Sequence, residues 1–258
     1  MTTSEPQFVT SPSNALVKDL RRLAQDTTAY RKQQRVWLEG DHLCRAALDR
    51  GLQPAIAVFS ESLWNEELLQ WQGHGGKTVV VADAIFATVS GLESPSRMGF
   101  VVDLQAQPTL KPGTATVVLD GLQDPGNVGA ILRSAAAFGF RQIIAIRGTA
   151  ALWSPKVLRA GMGAHFGLHL LESMTPADVQ SLEVPVLVTS SHRGEFLHKA
   201  QLPWPCAWVL GHEGQGVSEA LEAIATTPVR IAQPGGEESL NVASAAAICL
   251  HASAASRA

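Results

Sequence analysis

The sequence predicts an α/β protein of two domains, and three observations carry that expectation. Between residues 114 and 258, strand-like apolar runs alternate with helix-like runs, the pattern of a mainly parallel, doubly wound sheet. Three glycine-rich segments in the same half each join a strand-like run to a helix-like run: N-V-G-A-I-L-R (Asn127 to Arg133), G-H-E-G-Q-G (Gly211 to Gly216) and I-A-Q-P-G-G-E-E-S-L-N-V-A (Ile231 to Ala243). The stretch Q-A-Q-P-T-L-K-P-G-T, with two prolines and a glycine, reads as a linker. The chain is therefore divided into a first domain (1–104), a linker (105–113) and a second domain (114–258). A length of 258 residues suffices for two cores.

In the first domain, residues 13–23 carry Leu16, Leu20 and Leu23 at helical spacing, with Lys18, Arg21 and Arg22 on or beside the other face. A second basic group, Arg31, Lys32 and Arg35, precedes the short strand V-W-L-E-G, and residues 41–49 follow as a helix. Strands at 55–59, 79–81 and 100–104, with helices at 62–71 and 84–89, complete a small α/β sandwich. The basic groups leave two readings open, a solvated charged face or a contact surface for RNA. In the second domain, strands fall at 115–119, 142–146, 186–190, 207–210 and 229–231, and helices at 128–138, 155–161, 176–182 and 217–224. An alanine-rich helix at 240–250 follows; Asn241 and Ser244 interrupt it and it is too short to span a bilayer, so it reads as a core helix.

Composition excludes several classes. The net charge of −3 gives no global basic signal, so any nucleic-acid surface is a local patch. Cys44, Cys206 and Cys249 lie in apolar contexts without C-x-x-C spacing, which argues against a disulfide framework or a zinc site. His165, His169, His192, His198 and His212 are scattered without metal-ligand spacing, so no metal is expected. The opening M-T-T-S-E-P-Q-F lacks the basic and apolar regions of a secretory signal, which predicts a cytoplasmic protein. No phosphate-loop motif G-x-x-x-x-G-K-[ST] occurs. G-M-G-A-H-F-G (Gly161 to Gly167) misses the dinucleotide fingerprint because its third glycine is one position late and a helix-like run precedes it.

The three glycine-rich loops are predicted at the carboxyl ends of strands, where open α/β sheets bind ligands. D-G-L-Q-D-P-G-N-V-G, beginning at Asp120, opens a helix whose free N–H groups suit an anion. Arg133, one to two turns on, would direct a planar guanidinium toward the same mouth; the alternative is a surface salt bridge. In the second loop the backbone of Gly211 is the ligand contact, and Glu213 is either a catalytic group or the carboxylate that holds the turn. In the third, Ser239 and Asn241 flank Leu240 as site groups or as helix caps. Ala243, Ala245, Ala246 and Ala247 permit close helix packing, within the chain or between subunits.

Taken together, and in this order, the three segments resemble the motifs of the SpoU/TrmH family of RNA ribose 2′-O-methyltransferases. R-A-G-M-G-A-H-F (Arg159 to Phe166) is similar to the family's segment between its first two motifs. The first domain resembles the L30e-like RNA-binding domain of many members, including the opening S-x-x-N-A-L-V-K at Ser11 to Lys18. The resemblance implies an L30e-like α/β sandwich followed by a SPOUT α/β domain with a C-terminal trefoil knot, and a homodimer. It implies S-adenosylmethionine as cofactor, bound by Leu210, Gly211, Gly216, Ile231 and Leu240 with Thr189, Ser190 and Ser191 nearby. Arg133 matches the family's catalytic arginine, and Asn127, Glu213, Ser239 and Asn241 its other motif polar residues. Ala232 and Gln233 depart from the proline and methionine of many members, which changes the pocket wall. The expected partner is structured RNA, ribosomal RNA first and transfer RNA as the alternative, contacted by Lys18, Arg21, Arg22, Arg31, Lys32 and Arg35. A rival of another class is a non-catalytic RNA-binding protein whose second half only dimerises.

Overall fold

The computed structural model describes residues 5–66, 71, 74, 76–92, 94–104, 108–190, 193–235 and 239–257. Contacts divide the chain into two compact units, one of Met1–Ala106 with Trp153–Phe166, the other of Gln107–Leu152 with Gly167–Ala258.

The first unit is built on five strands, β1 (Gln7–Val9), β2 (Arg35–Glu39), β3 (Ile56–Ser60), β4 (Lys77–Val81) and β5 (Met98–Asp103), in the order β1-β4-β3-β5-β2. β1, β4 and β3 run parallel, and β5 is antiparallel to both β3 and β2. Helix Ala15–Gln25 starts two residues later than the leucine spacing predicts because the Asn14 side chain accepts Leu16 N–H at 2.9 Å and caps it there. Its inner face buries Val17, Leu20 and Leu23. Gly99 is dictated by close approach, since a Cβ there would collide with the Trp37 indole.

Trp153–Phe166, which the linear reading puts in the second domain, clusters with this first unit. Helix Pro155–Gly161 packs on β2 and on helix Ala15–Gln25. It buries Val157 and Leu158 and ends at Met162 in the left-handed conformation. Gly163 then has φ of +86°, and a side chain there would overlap Ala46.

The second unit carries seven strands: β6 (Thr116–Asp120), β7 (Gln142–Ile146), β8 (His169–Met174), β9 (Val186–Thr189), β10 (Glu195–Phe196), β11 (Ala207–Gly211) and β12 (Thr227–Arg230). Their order is β10-β12-β9-β11-β6-β7-β8, and every neighbouring pair is parallel. Burial on both faces explains the continuous apolar runs of the inner strands: all five residues of β6 and of β7 are buried. β1, β8 and β10, which the pattern did not predict, are edge strands with short or mixed sequences. Val118, Ile144, Leu171, Val188, Val209 and Leu221 form one core on this sheet.

The chain steps outward from β6 through β7 and β8, then returns on the other side at β9, with β11 filling the gap between β9 and β6. The order therefore reverses at the β6–β11 border, where Leu119 pairs with Leu210 and Asp120 with Gly211. Such a reversal opens a crevice at the strands' carboxyl ends. Helix Val242–Ala255 packs on helix Pro125–Ala137 and on β11, and its Ser253 Oγ accepts the buried Trp208 indole N–H at 2.8 Å. Among the described residues no helix is long and apolar enough to cross a membrane.

Candidate active site

The first loop leaves β6 at Asp120 and enters helix Pro125–Ala137. Asp124 caps that helix, its Oδ1 accepting Asn127 N–H at 2.7 Å, and Pro125 takes the first helical position, where no N–H is needed. The helix consequently begins at Pro125, three residues before the start that the sequence pattern predicts. The loop after β7 braces it: Thr149 Oγ1 donates to Leu119 O at 2.9 Å and accepts Gly121 N–H at 3.1 Å, and the Gln123 amide donates to the Gly121 and Gly148 carbonyls.

The second loop folds back on itself. His212 and Gly216 exchange backbone hydrogen bonds at 2.9 Å, and His212 Nδ1 accepts Gly214 N–H at 3.0 Å and Gln215 N–H at 3.3 Å. Gly216 has φ of +75°, and a Cβ on Gly211 would overlap the Gly216 carbonyl and the Val217 nitrogen. The loop's own return therefore requires glycine at 211 before any ligand is considered. Glu213 joins this loop to the first, accepting Gln123 N–H at 3.1 Å, Asp124 N–H at 3.2 Å and the Asn127 side-chain amide at 3.2 Å. Partial burial pushes its carboxyl up, but hydrogen bonds from its own N–H, Gln123, Asn127 and Asp124 outweigh this and hold it below the ordinary value. The third loop is joined through Asn241, whose amide donates to Asn127 Oδ1 at 3.0 Å while its Oδ1 caps helix Val242–Ala255 by accepting Ala243 and Ser244 N–H.

Asn127, Glu213 and Asn241 thus form one hydrogen-bonded chain through all three loops. Arg133 lies further along helix Pro125–Ala137, exposed, and among the described residues it has neither an ion pair nor a hydrogen-bond partner. Leu210 is buried, Ile231 half-buried, and Leu240 39% exposed just before the Asn241 cap. Ser239 is exposed. Thr189 ends β9, and Ser190 N–H donates to Val229 O while Ser190 Oγ accepts Arg193 N–H. Ser191 lies outside the described residues. Sequence reasoning assigned nothing to Asp120, Gln123, Thr149 and Ser218; the signal available for Asp120 was a charge ending an apolar strand.

The cysteines offer no nucleophile. Burial pushes the Cys206 thiol up to about 11 and Cys249 to about 12, and raises Cys44 further. In the first unit, Lys18, Arg22 and Lys32 are exposed; among the described residues none makes a close ion pair, and Arg22 lies in the field of Asp26. Arg21 donates to Thr88 Oγ1, Arg35 pairs with Asp103 at 2.6 Å, and Arg31 donates to the Tyr30 hydroxyl at 3.1 Å.

A parallel sheet with glycine loops meeting at its switch point, fused to a small α/β unit with basic side chains, agrees with the class of protein that the chain matches. Residues 114–251 match the SpoU rRNA Methylase family, and residues 14–98 the MRM3-like substrate binding domain. The chain belongs to the SpoU rRNA methylase family. Among particular proteins, it is 31% identical over 250 residues to the 23S rRNA (guanosine(2553)-2′-O)-methyltransferase RlmP of Bacillus subtilis, covering 94% of this chain and 97% of that one. It is 32% identical to an uncharacterized tRNA/rRNA methyltransferase of Synechocystis, over 96% of this chain and 94% of the other. Among solved structures, the AdoMet-bound rRNA methyltransferase of Sinorhizobium meliloti is 27% identical with a TM-score of 0.82, covering 97% of this chain and 98% of its own. A TrmH-family protein of Porphyromonas gingivalis is 31% identical with a TM-score of 0.81, over 93% of this chain and 97% of its own.

Proposed function

We propose that this protein transfers the methyl group of S-adenosylmethionine to a ribose 2′-hydroxyl in ribosomal RNA. The observation that carries the reading is the Glu213–Asn127–Asn241 chain, which joins three glycine loops at the start of a helix that also bears an uncommitted arginine. Gln233 supports the cofactor assignment: its Oε1 is buried without a hydrogen-bond partner among the described residues, in the loop between Ile231 and Leu240. A ligand amino group would satisfy that acceptor. Leu210, Gly211, Gly216, Ile231 and Leu240 would hold the cofactor, with Thr189 and Ser190 beside it. When bound, the cofactor supplies an activated sulfonium methyl.

The chain's own residues then bind and orient. Arg133 holds the substrate phosphate and ribose, and its planar fork fixes the direction of the 2′-oxygen. A guanidinium with a pKa above about 12 makes a poor base, so its role is electrostatic and positional. Asn127, Glu213 and Asn241 keep the loops in register, and exposed Ser239 is offered to the substrate. Lys18, Arg22 and Lys32 supply phosphate contacts in the substrate-binding half, with Arg21, Arg31 and Arg35 beside them.

Three finer assignments belong to the same reading. The order β12-β9-β11-β6, with β9 between the two later strands β11 and β12, supports the threaded C-terminus of the family. Ile248, 41% exposed, and its neighbours Leu197, Ala247 and Ala252 frame an open apolar groove that supports a homodimer. Three buried free cysteines support a reducing compartment such as the cytoplasm. The test is calorimetry with S-adenosylmethionine followed by mapping of methylated nucleotides in rRNA from cells with and without the protein. Saturable binding and one lost 2′-O-methyl mark are expected; an unchanged rRNA methylation map would refute the proposal.

A further inference from the structure

The first two loops are held by carboxylates that act in opposite directions. Asp120 ends β6, is 8% exposed, and its Oδ2 accepts the backbone N–H of Ser218 at 2.7 Å, just beyond the Gly211–Gly216 loop. Glu213, inside that loop, accepts the N–H groups of Gln123 and Asp124, which follow Asp120 in the first. Each strand end thus supplies the carboxylate that fastens the other's loop. Hydrogen bonds from N–H to carboxylate are roughly twice as strong as neutral ones, and low exposure strengthens the Asp120 bond further.

We infer that Asp120 is a positioning residue, which with Glu213 forms a reciprocal clamp that sets the gap between the first and second glycine loops. The inference rests on the methyltransferase reading, since it makes the clamp a determinant of cofactor affinity. Asp120 and Gly211 are direct neighbours across the β6–β11 pair, so the Ser218 bond fixes where the chain goes after the loop has turned back over Gly211. Glu213 fixes the middle of the same loop. The His212–Gly216 pair closes the loop on itself, and the Asp120 bond adds the charged tie at the point where the closed loop rejoins the fold.

The bond can be removed from either end. Ser218→Pro deletes the donor at a φ of −65° that proline accepts, and its ring Cδ, standing where the N–H met Asp120 Oδ2, also forces the carboxylate aside, so the tie is broken outright. Asp120→Ala removes the acceptor, and Asp120→Asn keeps an acceptor oxygen at the same place. Calorimetric titration of the full chain with S-adenosylmethionine should show S218P and D120A each weakened about tenfold, the loss of one charge-assisted hydrogen bond. D120N should stay within about threefold of wild type, and D120A combined with Glu213→Ala should lose less than the product of the two single losses, because the two act as one unit. Circular dichroism of each variant separates loss of the clamp from loss of the fold. Wild-type affinity in S218P or D120A, or a loss in D120N equal to that in D120A, overturns the clamp. If wild type itself binds no S-adenosylmethionine, the methyltransferase reading fails instead.

Discussion

Arg133 is exposed on a helix whose start is fixed by Asp124, and among the described residues it has no ion-pair partner. Under the proposed function, a charge kept unpaired on the helix that the first glycine loop opens stabilises the reacting geometry more than the fold. Arg133→Ala should therefore leave the melting temperature and S-adenosylmethionine affinity near wild type and lower methyl transfer by about 100-fold. Near-normal turnover would end its assignment. Glu213 carries a pH dependence. Its folded-state carboxyl lies below the ordinary 4.5, so the tie it makes is fully present above that value and is lost as pH falls through the folded value. S-adenosylmethionine affinity should fall in this acid range for wild type and change less for Glu213→Gln, as calorimetry at stepped pH would show. Glu213 and Asn241 could be picked out in the sequence as polar residues inside glycine-rich loops, and Asn127 through the family resemblance of its motif. The Asp120–Ser218 bond could not, since its partners stand 98 residues apart and the donor is a backbone N–H that no residue type announces.

Helix Val242–Ala255 is mostly alanine and other apolar residues without a distinct polar face, so its place depends on its cap and on the surfaces it meets. Asn241 supplies that cap through two backbone N–H groups and at the same time donates to Asn127. Asn241→Ala should cost about 1–2 kcal/mol of stability, measured by urea denaturation, and should also weaken cofactor binding. A stability loss with unchanged affinity would leave Asn241 as a cap alone. Most elements were readable here because inner parallel strands are continuous apolar runs and prolines mark helix starts at Pro155 and Pro176; Pro125 does the same, although the apolar pattern set that helix to begin at 128. The edge strands β1, β8 and β10 escaped, because one-sided pairing imposes little pattern on segments such as the three residues Gln7–Val9, whereas the apolar edge strand β2 was readable. The reason for glycine at 211 also changed, from room for a ligand to the return of its own loop.

At the scale of the molecule, substrate affinity and assembly are separate questions. Lys18→Ala, Arg22→Ala and Lys32→Ala combined should weaken RNA binding across sequences and reduce the slope of log K against log salt by about 2, roughly 0.7 for each phosphate left without its cation. An unchanged slope in a salt titration would remove the first unit's proposed role. Ile248→Asp should shift a dimer toward monomer in sedimentation equilibrium, because an exposed apolar side chain in the groove beside Ala247 and Ala252 becomes a charge. Unaltered mass would place any dimer contact elsewhere.

The sequence by itself determined the α/β class, the mainly parallel second sheet, the three loops and the family, because each is written in local periodicity or in residue types at fixed short spacing. Tertiary structure alone decided which loops share hydrogen bonds and that Asp120 faces Ser218. It also decided that Trp153–Phe166 packs in the first unit although sequence order places it inside the second half. The physical reason is that periodicity reports which face of a segment is apolar. It does not report which distant surface will cover that face, nor which backbone N–H a distant carboxylate will meet.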